Sequence, residues 1–267
     1  MTAQSFFRAE GGAYFANPVA TGPWRASTLM GRVISGLLGH EIERRHLEPG
    51  WVPARFSVDL YDLATFEAIT VETRVLRQGG RMRLVEAELF CGGASRARAM
   101  CLLLRHTEAP EGRVWSRPDW SVPGPDSLTD DPGRSKWRLR ITGGEFTDVA
   151  PKSAWMSDYR QLVEGRPMTP FTQAAMAADF TSPFTNAGDQ GVAYINTEAT
   201  LYLHRLPEGE WIGFEVTDHQ ATDGVSIGQT RVYDLRGPIG FGTCTALAQR
   251  RPALTDPNAG PAVAPES

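Results

Sequence analysis

The chain has 267 residues, of which 41% are hydrophobic and 22% charged, and its formal net charge is −4. This composition is typical of a globular protein with a sizeable core, and it excludes global disorder. Because the chain lacks the basic excess of nucleic-acid-binding proteins, we expect no nucleic-acid partner. The three cysteines include no CxxC pair, so we expect neither a disulfide framework nor a thiolate metal site. This cysteine content indicates a reducing compartment.

Two further absences in the sequence bear on location. No segment reaches the roughly 20 apolar residues that a membrane helix needs. The first ten residues show no basic stretch followed by an apolar one, so no signal peptide is expected. The sequence therefore predicts a cytoplasmic protein without a membrane span.

The first half of the chain predicts one long helix and then four strands. Apolar residues recur from Leu29 to Ile42 at the spacing of one buried helix face, which predicts a helix over about residues 27–45. Ser27 or Thr28 is the expected N-cap. Gly79-Gly80 is the expected hairpin turn between the second and third strands. Alternating apolar and polar residues predict the strands at about 56–60, 69–75, 82–90 and 97–105.

The second half repeats this order. Thr169-Pro170 supplies a capping hydroxyl and a first-turn proline, so a helix is predicted to begin there, to run through Asp179 and to stop before Pro183. Asp223-Gly224 is the matching hairpin turn. Ile69 aligns with Ile212 at an offset of 143 positions, which indicates an internal repeat. The strands are predicted at about 200–204, 211–217, 225–233 and 242–248.

A helix followed by an antiparallel sheet, occurring twice, predicts an α+β protein. One sheet wrapped around one long helix is a hotdog fold, so the expected architecture is a double hotdog. The predicted N-terminal hotdog covers residues 1–106 and the C-terminal hotdog residues 140–251. A proline-rich linker, residues 107–139, joins them, and residues 252–267 are expected to form a disordered tail.

Several segments resemble one protein family. The stretches AADFTSPFTN, YINTEATLYLHRLPEGEWIGFE and GPIGFGTCTALAQR, with the PW…LMGRVISGLL entry to the first helix, resemble the acyl-CoA thioesterase II family. They resemble more closely the thioesterase-like double-hotdog proteins of actinobacteria. The resemblance extends over about residues 11–250.

The resemblance implies hydrolysis of a fatty acyl-CoA thioester by water, without a covalent enzyme intermediate. It implies that three polar groups position the water: an acid on the second helix, a hydroxyl on the next strand and a glutamine on the last strand. In this chain the acid corresponds to Asp179. The threonine position carries Asn196, and the glutamine position carries Thr245.

Asp179 is also a candidate on its own chemistry. It follows a stretch of small residues that would pack closely, and burial there would raise its pKa, as a general base requires. The alternative is a capping or ion-pairing carboxylate. The counterpart of Asp179, 143 positions earlier, is Gly36, so one active cleft is expected, with Asp179 as its base.

The remaining candidates each have an ordinary structural interpretation. Asn196 and Thr245 could be strand residues, and Asn186, a candidate for substrate binding, could be a turn residue. The segment around Ser226 matches G-x-S-x-G, but no helix is predicted after it, so a serine nucleophile is not expected. His204 is expected to be a structural or surface residue.

The predicted function is therefore an acyl-CoA thioesterase of lipid metabolism that needs no metal or redox cofactor. Acyl-CoA is the expected partner, and the resemblance implies a homo-oligomer of double-hotdog units. Two alternatives stay open. One is a dehydratase or hydratase acting on acyl thioesters, for which His40 is the only histidine in either predicted helix. The other is a non-catalytic protein that binds acyl-CoA or acyl chains.

Overall fold

The computed structural model describes residues 4–117, 121–130 and 136–249. The predicted tail, residues 252–267, lies outside the described residues. In the first half the strands are β1 (Phe7–Glu10), β2 (Ala13–Ala16), β3 (Trp51–Leu60), β4 (Ile69–Gln78), β5 (Met82–Cys91) and β6 (Ala94–Arg105). In the second half they are β7 (Arg138–Gly143), β8 (Ser153–Ser157), β9 (Ala187–Gly188), β10 (Gly191–Val192), β11 (Tyr194–Leu203), β12 (Ile212–Thr222), β13 (Val225–Asp234) and β14 (Gly237–Ala248).

Twelve of these strands form one antiparallel sheet in the order β1-β2-β4-β5-β6-β3-β11-β14-β13-β12-β8-β7. The two halves join where β3 pairs with β11. Each of β11, β12, β13 and β14 begins 143 positions after its counterpart β3, β4, β5 or β6. The repeat offset expected from the sequence is therefore also the spacing of the strands. The division into four segments, with its three boundaries, stays a prediction.

Both predicted hairpin turns join the strands expected of them. Gly79-Gly80 lies between β4 and β5, and Asp223-Gly224 lies between β12 and β13. Asp223 and Gly224 both have positive φ, 49° and 81°. This combination is required by the type I′ turn that suits the twist of a two-residue hairpin, and Asp-Gly adopts it readily.

Helix α1 spans Gly31–His46 and begins later than predicted. Its N-cap is Met30, which has no capping side chain, so the expected caps are wrong. Thr28 instead donates to the carbonyl of Arg25. The helix is buried on every side from Arg32 to Ile42, because the sheet covers one side and a second helix covers the other.

Helix α2 spans Pro170–Ala178, and the Thr169 hydroxyl accepts from the Thr172 backbone N–H at 3.2 Å, which confirms the predicted cap. A short helix α3, Thr181–Asn186, follows after two residues. Helix α2 therefore stops before Pro183, as predicted, but the separate helix α3 was not expected from the sequence. Pro183 lies in the first turn of α3, where a backbone N–H has no partner within the helix and its absence costs little.

Helices α1 and α2 are antiparallel and in close contact. A Cβ added to Gly36 would lie 2.3 Å from Met176 Cγ, and one added to Gly39 would lie 2.4 Å from Ala175 Cβ. These glycines therefore allow the two backbones to approach. The two helices start 139 positions apart, not 143. When the helix starts are aligned, the counterpart of Asp179 is His40, and the predicted counterpart, Gly36, belongs to the helix crossing.

Candidate active site

A cleft of about 280 Å³ opens between the two halves of the molecule. It lies at the start of α1, beside the loop that follows β3 and the first residues of β11. Most of its wall is apolar. The apolar lining includes Trp24, Leu29, Met30, Ile34, Leu60, Leu63, Trp137, Phe180, Val192 and Ile195. Such a wall suits an acyl group, and the few polar groups in it would fix the orientation of a ligand.

Asp179 is one of those polar groups. It directly follows the last residue of α2, whose residues from Phe171 to Ala178 are all buried. The carboxylate lies against the first turn of α1: a Cβ on Gly31 would be only 2.7 Å from its Oδ1 atom. The glycine at this position therefore leaves the space that the carboxylate occupies. Asp179 itself is partly accessible, since it lines the cleft.

Two opposing effects set the pKa of Asp179: burial of the carboxylate, and the groups that donate hydrogen bonds to it. Burial raises its pKa above the ordinary value of 3.8, and this is the largest effect. Asn196 Nδ2 donates to Oδ1 at 2.8 Å, which opposes the rise. The charge of Arg32 and its backbone N–H oppose it further. The net direction of the pKa is upward, toward the range in which a carboxylate acts as a general base.

Asn196 reaches Asp179 from the start of β11, and it lines the same cleft. The register between β11 and β14 shifts between Asn196 and Glu198, so Thr197 is an extra residue in the strand. A bulge of this kind changes the direction of the side chains next to it. The structure therefore brings together two of the predicted site residues, Asp179 and Asn196.

Thr245 is not brought to this pair. Its hydroxyl lies 3.1 Å from the Thr197 hydroxyl, on the face of β14 opposite the helices. Side chains alternate along a strand, and its neighbours Cys244 and Ala246 are the buried ones, with Cys244 facing α3 through Thr185. The position that the resemblance assigns to a glutamine thus carries a side chain that contacts neither Asp179 nor Asn196.

Asn186 lies in a different place. It is buried at the end of α3, and its Oδ1 atom accepts from Ser226 Oγ at 2.7 Å and from His219 Nε2 at 3.1 Å. It lines a second cavity, of about 590 Å³, that adjoins the first at Tyr194. Asn186 therefore contacts no other predicted site residue. Ser226 lies within strand β13, as expected, and not at a strand-to-helix turn.

His40 and His204 also lie outside the cleft. Arg166 Nη1 lies 2.9 Å from His40 Nε2, and burial lowers the pKa of this histidine, so the neutral ring accepts the bond. Helix α1 extends to His46, so His40 is not the only helical histidine. His204 Nε2 is 2.9 Å from the Pro238 carbonyl oxygen, a structural contact.

Three residues of the cleft were not identified from the sequence: Gly31, Arg32 and Trp137. Gly31 was included in the predicted helix without a reason for being glycine. Arg32 lies within the apolar run of that helix and was given no role there, although it is only 4% exposed. The arginine inside LMGRVISGLL was the one available signal.

The described residues offer neither a metal-binding cluster nor a membrane-spanning helix. No group of three His, Cys, Asp or Glu side chains there is arranged to hold a metal ion. None of the helices in the same residues is both long and apolar enough to cross a membrane.

Comparison with known proteins supports the prediction of a thioesterase. Residues 123–247 match the family model of the acyl-CoA thioesterase C-terminal domain. No curated protein sequence matches the chain significantly. The family match confirms the predicted resemblance, and it supports the prediction of a thioester hydrolase.

Three solved structures share the fold over most of their length. A proposed thioesterase from Novosphingobium aromaticivorans has a TM-score of 0.71 and 16% identity, covering 92% of this chain and 100% of its own. A hot dog fold protein of unknown function from Alicyclobacillus acidocaldarius has a TM-score of 0.71 and 12% identity, with coverages of 91% and 95%. An acyl-CoA thioesterase II from Mycobacterium marinum has a TM-score of 0.64 and 13% identity, with coverages of 90% and 94%. The chain is therefore a double-hotdog protein whose residues 123–247 match the acyl-CoA thioesterase C-terminal domain.

Proposed function

We propose that this protein hydrolyses acyl-CoA thioesters in the cleft between its two halves, with Asp179 as the general base. The observation that carries the proposal is the carboxylate of Asp179, desolvated and bonded to Asn196 at 2.8 Å, in an apolar cleft at the start of α1. The match to the acyl-CoA thioesterase C-terminal domain supports acyl-CoA as the substrate class.

In the proposed reaction, Asp179 accepts a proton from a water molecule as the water oxygen attacks the thioester carbonyl carbon. The carbonyl oxygen becomes an oxyanion. Helix α1 has no capping side chain, and its Arg32 backbone N–H is already donated to Asp179, so the backbone N–H of Gly31 is the proposed donor to that oxyanion. The carbon–sulfur bond then breaks, and the thiolate takes the proton from Asp179. Because a thiol has a pKa of about 8.5, the leaving group needs little acid assistance.

Asn196 is the proposed positioning residue for the base. One hydrogen of its amide is donated to Asp179, which fixes the carboxylate rotamer and leaves the second hydrogen for the water or the carbonyl oxygen. Thr245 has no part in this proposal, because its hydroxyl is directed to Thr197.

The test replaces Asp179 by asparagine, which keeps the shape and removes the base. Release of free thiol from a panel of acyl-CoA chain lengths should fall by about 100-fold or more, while the acyl-CoA dissociation constant changes little. The variant should melt at the same or a higher temperature, because the raised pKa means that the folded protein disfavours the ionised carboxylate. Unchanged turnover in a stable variant would refute the mechanism.

The pH dependence provides a second readout. Only the ionised carboxylate is a base, so turnover of the parent should fall as the pH drops through the pKa of Asp179, which lies above 3.8. A loss of turnover that coincides with acid unfolding, measured by circular dichroism, would assign the pH effect to the fold and not to Asp179.

One observation favours an alternative function, that of a non-catalytic acyl-CoA-binding protein. Of the three predicted water-positioning residues, Thr245 makes no contact with Asp179, so fewer polar groups are available to hold water. Saturable binding of acyl-CoA by the parent, without thiol release at any chain length, would support this alternative. His40 contacts Arg166 outside the cleft, so the dehydratase alternative gains no support.

We also propose that the protein acts in the cytoplasm, in lipid metabolism, as a homo-oligomer of double-hotdog units. Exposed apolar side chains along β13 and β14, such as Ile227 and Leu247, support self-association. Light scattering over a wide concentration range is the test of assembly. A mass of one chain throughout would contradict it.

A further inference from the structure

One wall of the cleft contains buried hydrogen-bond donors that have no acceptor. Within the part of the chain that the structure describes, Arg32 Nε, Arg32 Nη1 and Trp137 Nε1 make no hydrogen bond. Both residues line the cleft, and they are 4% and 5% exposed. A buried donor without an acceptor costs about 1–3 kcal/mol, and more when it is charged, so such groups need an explanation.

The arginine is held firmly in this position. Arg32 Nη2 lies 2.5 Å from Asp158 Oδ2, and the side chains of the pair are 5% and 1% exposed. The guanidinium carbon lies 4.3 Å from the centre of the Trp137 ring. The ion pair and the ring therefore fix one nitrogen and one face, and the other two nitrogens stay unpartnered. At four other described arginines, Arg55, Arg83, Arg96 and Arg138, a single buried nitrogen, Nε, is unpartnered.

These donors are close to the proposed reacting centre. Arg32 follows Gly31, which borders the Asp179 carboxylate, and the Arg32 backbone N–H donates to that carboxylate. The charge of Arg32 also acts to lower the pKa of Asp179, and both residues line the same cleft, so the guanidinium lies near a thioester at Asp179. The phosphates of coenzyme A are separated from its sulfur by the whole pantetheine arm. A phosphate therefore does not fit this position, and an atom of the acyl group does.

We propose that Arg32 and Trp137 form an acceptor-binding wall that selects acyl groups carrying an oxygen a few bonds from the thioester carbonyl. The oxygen is that of a keto, hydroxyl or carboxylate group. All three accept hydrogen bonds from the unpartnered donors. An unsubstituted alkyl chain leaves the donors unpartnered and binds less well. This inference rests on the proposed thioesterase function of the same cleft.

The test compares four acyl-CoA thioesters with the same four-carbon length: butanoyl, 3-hydroxybutanoyl, acetoacetyl and succinyl. Their kcat/KM values for thiol release are measured with the parent protein. At least one oxygenated substrate should exceed butanoyl-CoA by about 10- to 100-fold, the range for a hydrogen bond to a charged donor. Dissociation constants for the same four compounds, measured with Asp179→Asn, should show a preference in the same direction.

Two variants assign the preference to this wall. Trp137→Phe keeps the ring beneath the guanidinium and removes one donor, so it should reduce the preference in part. Arg32→Met combined with Asp158→Leu removes the ion pair without leaving a buried carboxylate unpaired, and should bring the preference within about 2-fold of unity. Thermal melts establish whether each variant is folded, and Trp137→Phe keeps the inference testable if the double variant is not.

The outcomes separate the two proposals. If butanoyl-CoA is hydrolysed as well as all three oxygenated substrates, the inference is overturned and the thioesterase function stands. If no substrate is hydrolysed but oxygenated acyl-CoA binds more tightly, the thioesterase function fails and the wall stands. A preference that survives unchanged in folded variants overturns the inference, and so does the absence of both turnover and selective binding.

Discussion

The space beside Gly31 offers a direct test of the site geometry. A Cβ at this position would lie 2.7 Å from Asp179 Oδ1 and 3.1 Å from its Cγ. Ordinary van der Waals contact begins at 3.4 Å, so in Gly31→Ala the carboxylate must move by about 0.7 Å. A misplacement of about 1 Å in a catalytic group can cost about 100-fold in rate. We therefore expect kcat/KM for acyl-CoA hydrolysis to fall by roughly 10- to 100-fold.

The stability of this variant should change little. Alanine is a better helix former than glycine by about 1 kcal/mol in a helix interior, and this gain offsets part of the local crowding. We expect the free energy of unfolding, measured in urea, to stay within about 1 kcal/mol of the parent value. The loss of activity would then be a property of the displaced carboxylate and not of unfolding.

Gly39→Ala, on the same helix, is the matched control. Its Cβ would lie 2.4 Å from Ala175 Cβ, at the crossing of α1 and α2 and away from Asp179. Overpacking of this kind typically costs about 1–3 kcal/mol. We expect Gly39→Ala to lose stability and to keep its turnover per folded molecule. Full activity in Gly31→Ala, or a loss that only parallels its stability, would refute the geometry proposed for Asp179.

Three further predictions concern buried polar groups. Hydrogen bonds from Arg44, Tyr14 and Arg45 lower the pKa of Glu41 from 4.5 to about 2. Glu41→Gln should therefore lose about 3 kcal/mol of unfolding free energy, measured in urea at pH 7. The difference between variant and parent should vanish as the pH falls from 4.5 toward 2. Burial lowers the pKa of Lys152 from 10.5 to about 8. Between pH 8 and 10.5 the unfolding free energy of the parent should therefore rise by up to about 3 kcal/mol relative to that of Lys152→Met. Parallel pH profiles of the two unfolding free energies would contradict this. Ser226→Ala removes one buried hydrogen bond, to Asn186. The variant should lose about 1 kcal/mol of stability, melt at a slightly lower temperature and release thiol at an unchanged rate. A large loss of turnover in the folded variant would show that the G-x-S-x-G match is functional.

Features that depend on neighbouring residues in the chain could be predicted from the sequence. The Thr169 cap and the turn at Asp223-Gly224 are local, because each requires only the side chain or the φ preference of the residues concerned. The strands of both halves follow from alternating apolar residues, and their order indicated the 143-residue repeat. Asp179 was identified from the resemblance to the thioesterase family, and the small residues before it gave a second reason to expect its burial.

The face on which a residue lies was harder to predict. The last strand has small or weakly polar residues on both faces, so its alternation gave no indication whether Thr245 or Cys244 points inward. Only the pairing of β14 with β11 and β13, under α3, decides that Thr245 points away from the helices. The helix pattern had a similar ambiguity, since a stripe predicts one buried face and α1 is buried on all sides.

The sequence by itself determined the two-fold repeat of helix and sheet, the turns that close its hairpins and one carboxylate at the end of the second helix. Only the tertiary structure decided what surrounds that carboxylate. Asn196 reaches it across 17 positions of chain, and Arg32 meets Asp158 across 126. Local periodicity is set by neighbours along the chain, whereas contacts at such separations exist only when both halves have packed around α1 and α2. The polar groups of the cleft are therefore a property of the assembled fold.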